Sequence, residues 1–371
     1  MKIALSGFYG AGNTGDEAIL EAIIDNLNDS LESPEITVLS LNPQETSKRH
    51  KVKAVYRAWR RENREKWQVL READVLISGG GGLLQDTYPT KVIFGPLPYY
   101  LLIVFLAKLA RTKVMFFSQG IGPVNTNYGK WLMRRFANMA DLITVRDSHS
   151  KNLLQSLKVT KPETIVTADI VFAFKRKTDN SCFLSLPEKW KNYKDSLVAV
   201  SVRPWFGSDD YYDKIADSLD SLIKSDDVYP VFVPMEGIHD IRASKEVIRR
   251  MQFGKQCTIL DGEFTPNQYL NFIAETKLLI GMRLHALIFA TICHVPHIGI
   301  SYDPKVESLL KRNGLWDYSF LLEDIDSNQL AENAHSILNN TAEARANLKV
   351  SAESLRKEAL RNIELLKENF H

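Results

Sequence analysis

The chain has 371 residues, 44% of them hydrophobic and 25% charged, the make-up of a soluble globular protein with enough length for two cores. Lys and Arg number 47 against 45 Asp and Glu, so the net charge of +2 carries no global polarity and any charged surface must be local. Cys182, Cys257 and Cys293 are scattered without a CxxC pair, which excludes a disulfide framework and fits a reducing cytoplasm.

The chain starts Met-Lys-Ile-Ala-Leu-Ser-Gly, running straight into a predicted strand, Lys2–Ser6, without a signal-peptide profile. A glycine-rich turn follows, Gly7-Phe-Tyr-Gly10-Ala-Gly12-Asn13-Thr-Gly15-Asp16-Glu17, and opens a predicted helix over Glu17–Leu31. Gly10, Gly12 and Gly15 match the GxGxxG of dinucleotide turns, but two details oppose that reading. The next strand, Ile36–Leu41, runs into Asn42 with no acid to hold a ribose, and Asp16 and Glu17 place negative charge where a pyrophosphate would lie. The glycines instead let a polar ligand approach the backbone, or simply form a tight turn. Asp16 either answers the helix dipole or acts on an acceptor hydroxyl.

From Lys48 to Arg71 ten Lys and Arg residues stand against Glu62 and Glu65, with Glu45 just before and Trp59 and Trp67 interleaved. No nucleic-acid motif accompanies them, which leaves a solvated helix face or a patch resting on anionic lipid headgroups. After the strand Val75–Ser78 come four consecutive glycines, Gly79, Gly80, Gly81 and Gly82, then Leu-Leu-Gln85-Asp86. Ordering four glycines is entropically costly, so a backbone-lined ligand pocket explains them better than structure alone. The apolar stretch Val92–Ala107 is interrupted by Gly95, Pro96 and Pro98, leaving a helix from about Tyr99 that is too short to span a bilayer. The strand Lys113–Ser118 leads into Gln119-Gly120-Ile-Gly122-Pro123, a third glycine turn at a strand end. Three such turns on one sheet edge define a site.

Helix Tyr128–Met139 and strands Leu142–Val145 and Thr164–Thr167 complete the first half. Arg146 directly follows a strand and serves either as an anion ligand or as the partner of Asp147 or Asp169. The strand–helix rhythm pauses between about Lys175 and Ser196, which places the domain boundary there and a first domain over residues 1–175. It resumes with strands Leu197–Val202, Tyr229–Val233, Cys257–Leu260, Leu278–Ile280 and His297–Ile300, separated by helices Tyr211–Ile223, Asp240–Met251 and Pro266–Ala274. Residues 196–327 form a second domain of this kind, and 328–371 read as a charged amphipathic helical segment. The predicted architecture is α/β: two Rossmann-type doubly wound domains facing a central cleft, GT-B-like, with ligands at the carboxyl ends of the strands.

The segment Gly281-Met-Arg283-Leu284-His285-Ala carries the chemistry of the second domain. A helix starting at Leu284 offers free backbone N–H groups and a positive dipole end. Arg283 adds a planar cation suited to carboxylate or phosphate, and His285 a group that moves protons near neutral pH. The combination points to a phosphorylated acid. Arg203, in Arg203-Pro-Trp205 after a strand, has a weaker claim as a further anion ligand. Cys293, His294 and His297 lack the spacing of a closed zinc site, so no metal is expected.

With these motifs in hand, the chain resembles the polysaccharide pyruvyltransferase family, specifically its CsaB-type members. The resemblance rests on Gly7–Leu20, Ser78–Asp86, Gln119–Pro123, Arg146-Asp147, Arg203-Pro-Trp205, Gly281–Ala290 and Ile300-Ser-Tyr302-Asp-Pro-Lys305, and covers about the first 320 residues. It implies transfer of pyruvate from phosphoenolpyruvate onto a sugar as a cyclic ketal. For CsaB-type members the acceptor is N-acetylmannosamine in a lipid-diphosphate-linked precursor of a secondary cell-wall polymer, whose ketal anchors S-layer proteins. On this view the first domain holds the acceptor through Gly12, Asn13, Asp16, Gly80, Gly81, Gly82, Gln85 and Asp86. The second binds the donor through Arg283, Leu284, His285 and Arg203, with Arg146 contributed by the first. His285 is the general acid, assisted by Arg283, and Asp16 the candidate base. No cofactor, metal or nucleic acid is implied, and the acceptor's lipid would bring the cytoplasmic protein to the inner face of the membrane. A nucleotide-sugar glycosyltransferase of GT-B fold and a non-catalytic carbohydrate-binding protein are the alternatives.

Overall fold

The computed structural model describes residues 1–58, 62–86, 95–179, 196–205 and 209–371. Cys182, Trp59, Arg60, Arg61, the start of the Val92–Ala107 stretch and most of the predicted linker lie outside the described residues. The chain divides into two units, Met1–Lys175 together with Leu355–His371, and Arg176–Ser354.

In the first unit the elements run β1 (Lys2–Ser6), α1 (Thr14–Ser30), β2 (Glu35–Ser40), α2 (Pro43–His50), β3 (Lys53–Tyr56), α3 (Asn63–Glu72) and β4 (Val75–Gly79). They continue with α4 (Pro96–Leu109), β5 (Lys113–Gln119), α5 (Asn127–Phe136), β6 (Leu142–Val145), α6 (Ser148–Ser156) and β7 (Glu163–Val166). The strands form one parallel sheet in the order β3-β2-β1-β4-β5-β6-β7. A parallel sheet covered by helices on both faces needs strands apolar on both faces, which is why Val75-Leu-Ile77 and Val114-Met-Phe-Phe117 are continuous hydrophobic runs, all buried. Polar caps set where helices begin: the Asn13 side chain accepts from the N–H groups of Gly15 and Asp16, Thr126 from Gly129, and Asp147 from Ser150.

The second unit runs β8 (Leu197–Ser201), α7 (Asp210–Asp226), β9 (Tyr229–Phe232), α8 (Gly237–Arg250), β10 (Thr258–Ile259), α9 (Pro266–Ala274) and β11 (Leu278–Gly281). Then come α10 (Leu284–Ile292), β12 (His297–Ser301), α11 (Pro304–Arg312), β13 (Phe320–Leu321), α12 (Ser327–Asn339) and α13 (Thr341–Phe370). Its sheet is also parallel, in the order β10-β9-β8-β11-β12-β13. Each sheet therefore reverses its winding once, between β1 and β4 and between β8 and β11. In doubly wound sheets the loops at such a point part and leave a crevice for ligand.

The doubly wound α/β class expected from the sequence is the one found. Some elements differ. β3 and β13, two short edge strands, were not expected: β3 lies within the basic run, where Lys51, Lys53 and Arg57 mask its alternation, and β13 has only two residues. α4 begins at Pro96 rather than Tyr99, because proline is at home in a helix's first turn. The C-terminal segment is split. Leu330, Ala334 and Ile337 of α12 enter the second unit's core, whereas Leu355–His371 belong to the first unit. There the fully buried Asn362 accepts from the hydroxyls of Thr144 (2.5 Å) and Thr167 (3.1 Å) and donates to the Ala359 carbonyl (2.9 Å). The basic run is not a single solvated face: Lys66 and Arg57 are buried, and the Lys66 ammonium donates to the Ala58 carbonyl at 2.5 Å. Among the described residues no helix is long and apolar enough to cross a membrane.

Candidate active site

At the first unit's switch point the loops after β1 and β4 are locked together. The buried Tyr9 hydroxyl donates to the Gly79 carbonyl at 2.8 Å. Gly80 and Gly81 have φ of +70° and +71°, a region where side chains are strained. A Cβ on Gly80 would lie 2.1 Å from Ile19, and one on Gly81 2.9 Å from an Asp16 carboxylate oxygen. The second glycine loop can thus press against α1 only because it lacks side chains, and that contact brings Asp16 beside Gly81. The third loop holds the second from the other side: the Gln119 side-chain amide (3.0 Å) and the Gly120 N–H (3.0 Å) both donate to the Gly81 carbonyl. The predicted convergence of three glycine turns is present, with Gly82, Gln85 and Asp16 half-buried and Gly12 exposed.

Several side chains expected to touch ligand have structural duties here. The Asn13 side-chain oxygen caps α1, accepting from Gly15 N–H at 3.0 Å and Asp16 N–H at 3.2 Å. Asp86 accepts from the N–H groups of Asn125 (2.7 Å) and Thr126 (2.9 Å) and from the Thr126 hydroxyl (2.6 Å), tying down the start of α5. Its carboxylate is engaged by that loop. Arg146 is buried, donates to Asp169 at 2.7 Å, lies 3.8 Å from Asp147 and packs over Gly120. Of its two readings, the structural ion pair is the one realised. Glu17 accepts from the Gly10 N–H at 2.7 Å, and burial raises its carboxyl pKa.

The second unit's switch point gathers cations. Arg283, the residue before α10, donates from Nε (2.9 Å) and Nη2 (2.5 Å) to the two oxygens of Asp240, and from Nη2 to Glu236 at 2.5 Å. Asp240 is fully buried and also accepts from the N–H groups of Met235 and Glu236, both at 3.0 Å. Burial opposes the Arg283 charge, but Asp240 and Glu236 outweigh it and hold the guanidinium more firmly protonated than usual. Arg283 thus comes to the site with its charge already answered by two carboxylates, braced as a strut rather than standing as an open clamp.

Arg203 is the opposite case. Its Nη1 donates to the Tyr302 hydroxyl at 2.9 Å, and its guanidinium lies 4.8 Å from the Tyr302 ring and 5.7 Å from the Trp205 ring, which are themselves 4.6 Å apart. It has no carboxylate within 4 Å among the described residues. Arg203, Arg283 and Tyr302 follow the neighbouring strands β8, β11 and β12, which places all three at one edge of this sheet. His285, half-buried, is the second residue of α10, with Leu284 at the first helical position. The segment thus sets two helix-start N–H groups and an imidazole at the same sheet edge.

Asp240, Glu236 and Tyr302 received no weight as site residues from sequence. The pattern that could have found the acids is Val233-Pro-Met-Glu236-Gly-Ile-His-Asp240, a strand end followed by two carboxylates. His297 is a core group: burial pushes it down to about 4, its Nδ1 meets the Val295 carbonyl at 3.0 Å, and its Nε2 faces Asn313. Burial drives the Cys293 thiol up to about 12.

Two switch-point sites on a chain of two doubly wound units define a GT-B-like α/β protein. Solved structures share this fold along the whole chain. Anabaena Alr3699/HepE in complex with UDP-glucose matches with a TM-score of 0.68 at 13% identity, covering 99% of this chain and 100% of that one. The S. aureus MnaA–UDP structure matches at 0.65 and 12% identity, covering 99% and 96%. At such identities the likeness is one of fold alone. The sequence profile of the polysaccharide pyruvyl transferase family matches residues 13–304, well over half of the chain. The amylovoran biosynthesis protein AmsJ of Erwinia amylovora is 21% identical over 397 aligned residues, covering 92% of this chain and 93% of that protein. The chain belongs to the polysaccharide pyruvyl transferase family and is a transferase.

Proposed function

We propose that the protein transfers pyruvate from phosphoenolpyruvate onto a sugar as a cyclic ketal. In this reading the acceptor is N-acetylmannosamine in a lipid-diphosphate-linked precursor of a secondary cell-wall polymer, and the ketal anchors S-layer proteins. The observation that carries the donor assignment is Arg203, a cation without a carboxylate partner among the described residues, held by Tyr302 and Trp205 at the strand ends beside Arg283. Phosphoenolpyruvate brings a carboxylate and a phosphate, and Arg203 with the α10 start supplies complementary donors. Arg283, braced by Asp240, positions the turn that carries His285.

The protonated His285 gives its proton to the methylene carbon, leaving the adjacent carbon electrophilic. A sugar hydroxyl attacks that carbon, the bond to phosphate breaks, and a second hydroxyl closes the ring. Of the two hydroxyl protons released, one restores His285 and the other leaves with phosphate. The glycine loops of the first unit hold the sugar, with Asp16 taking one of these two protons in transit and passing it on, so that it ends the cycle ionised as it began.

The test is phosphate release from phosphoenolpyruvate, with and without the lipid-linked disaccharide, together with the product mass. Acceptor-dependent release is expected, with a product heavier by one pyruvyl ketal. His285→Ala should lower turnover by at least ~10²-fold while retaining donor binding, and Arg203→Met should weaken donor binding. Near-normal turnover by His285→Ala would refute the acid assignment. Saturable UDP binding in place of phosphoenolpyruvate binding would favour the nucleotide-sugar alternative.

A further inference from the structure

In the first unit an apolar groove of about 700 Å³ lies between α4 and α5. Pro98, Tyr99 and Leu102 from α4 and Trp131, Leu132 and Phe136 from α5 line it. That volume falls in the range of roughly 300–1,000 Å³ occupied by small-molecule sites. Trp131 is 55% exposed and Leu102 40%, although core space lies directly beneath both helices.

Arg57 also lines the groove. It is only 9% exposed and has no carboxylate partner among the described residues. Its guanidinium sits among the rings of Tyr99 (4.8 Å), Tyr100 (5.2 Å) and Phe8 (5.3 Å). A buried cation without a counter-charge is costly, and the aromatic faces offset only part of that cost. Arg57 also donates to the Gly7 carbonyl at 3.2 Å, so the same side chain joins the groove to the first glycine turn. On the outer surface of α5, Lys130, Arg134 and Arg135 are exposed and likewise lack carboxylate partners among the described residues.

We propose that this groove binds the lipid chain of a lipid-phosphate-linked saccharide. The first isoprenoid or alkyl units lie between α4 and α5, the phosphate sits at Arg57, and the sugar is thereby delivered to the glycine loops. The assignment rests on the lipid-linked acceptor proposed above. Charge complementarity selects the occupant: an apolar chain carrying an anion matches an apolar groove lined by a buried cation that no carboxylate among the described residues answers. A neutral peptide would leave Arg57 unanswered.

The test is equilibrium binding of farnesyl phosphate, below its micellar concentration, to the full-length protein. Inorganic phosphate and phosphatidylglycerol vesicles serve as comparison arms. Farnesyl phosphate should saturate one site, with inorganic phosphate at least tenfold weaker. Leu102→Asp and Trp131→Ala, both at exposed positions that fold tolerates, should each weaken binding of farnesyl phosphate at least tenfold. Binding unaffected by both variants, or confined to vesicles, would overturn the proposal, the second outcome assigning the face to a bilayer. The two readings also fail separately. Saturable farnesyl phosphate binding without pyruvyl transfer to any acceptor would keep the groove and refute the reaction. Transfer to a lipid-linked saccharide that farnesyl phosphate neither binds beside nor inhibits would keep the reaction and refute the groove.

Discussion

Asp240→Ala is the perturbation that most directly tests the reading of Arg283 as a strut. The Asp240 carboxylate is fully buried and accepts four hydrogen bonds, from Nε and Nη2 of Arg283 and from the N–H groups of Met235 and Glu236. Truncation leaves a nearly buried guanidinium with only Glu236, which is 38% exposed, to answer it. Breaking a buried ion pair from one side costs about 3–5 kcal/mol. In a unit of this size each kcal/mol lowers the melting temperature by about 2–4 °C. The expected drop is therefore roughly 6–20 °C, measured by scanning calorimetry on the full chain. The double variant Asp240→Ala/Arg283→Met should recover part of that loss, because it removes the uncompensated charge as well as its partner. A single variant melting within about 2 °C of the parent would refute the argument, since that is less than ~1 kcal/mol. So would a double variant no more stable than the single.

Arg146→Ala should behave as a core lesion rather than a donor-site lesion, because it strands Asp169 and Asp147 in the first unit's interior. A loss of about 3–5 kcal/mol in urea unfolding is expected, while the phosphoenolpyruvate dissociation constant of the folded protein stays within about twofold; a selective tenfold rise would return Arg146 to the site. His297, held by burial at about 4, makes stability depend on pH. The unfolded imidazole titrates near 6.5, so the native state's advantage is complete above that value and is lost as pH falls towards 4. The loss amounts to about 3 kcal/mol over that window. His297→Gln should flatten the urea midpoint between pH 7 and pH 4.5, and an unchanged slope would show that other groups carry the dependence.

The fold was largely legible because a parallel sheet buried on both faces writes itself as short, unbroken apolar runs. Val75-Leu-Ile77, Leu197–Val202 and Leu278–Ile280 each read as strands from composition alone, and the helix start at Leu284 falls where it was expected. Edge strands do not obey this rule. β3 alternates Lys53 with half-buried Ala54 and Val55 inside a basic run, and local charge hides it. The backbone part of the site was equally readable, since four consecutive glycines have few uses other than close approach, and Gly80 and Gly81 use theirs against α1.

Side-chain duty was the less legible part, and the reason is that charge compensation is nonlocal. Arg283 meets Asp240 across 43 residues and Arg146 meets Asp169 across 23, so a linear motif displays the cation without its partner. Arg283 stood out in sequence as an anion ligand, and Arg146 as either an anion ligand or the partner of Asp147 or Asp169; both are paired with carboxylates in the fold. Arg203 had a weaker claim and Arg57 only a place in a charge run, yet these two keep their charge unanswered by any carboxylate among the described residues. Each instead leans on aromatic faces, which stabilise a cation without cancelling its field. An arginine compensated by protein has little to offer a ligand, whereas one held only by rings is completed by an incoming anion. By that criterion Arg203 at the second switch point and Arg57 beside the first are the two arginines that an incoming anion would complete, which is the basis of the donor-site and lipid-phosphate proposals above.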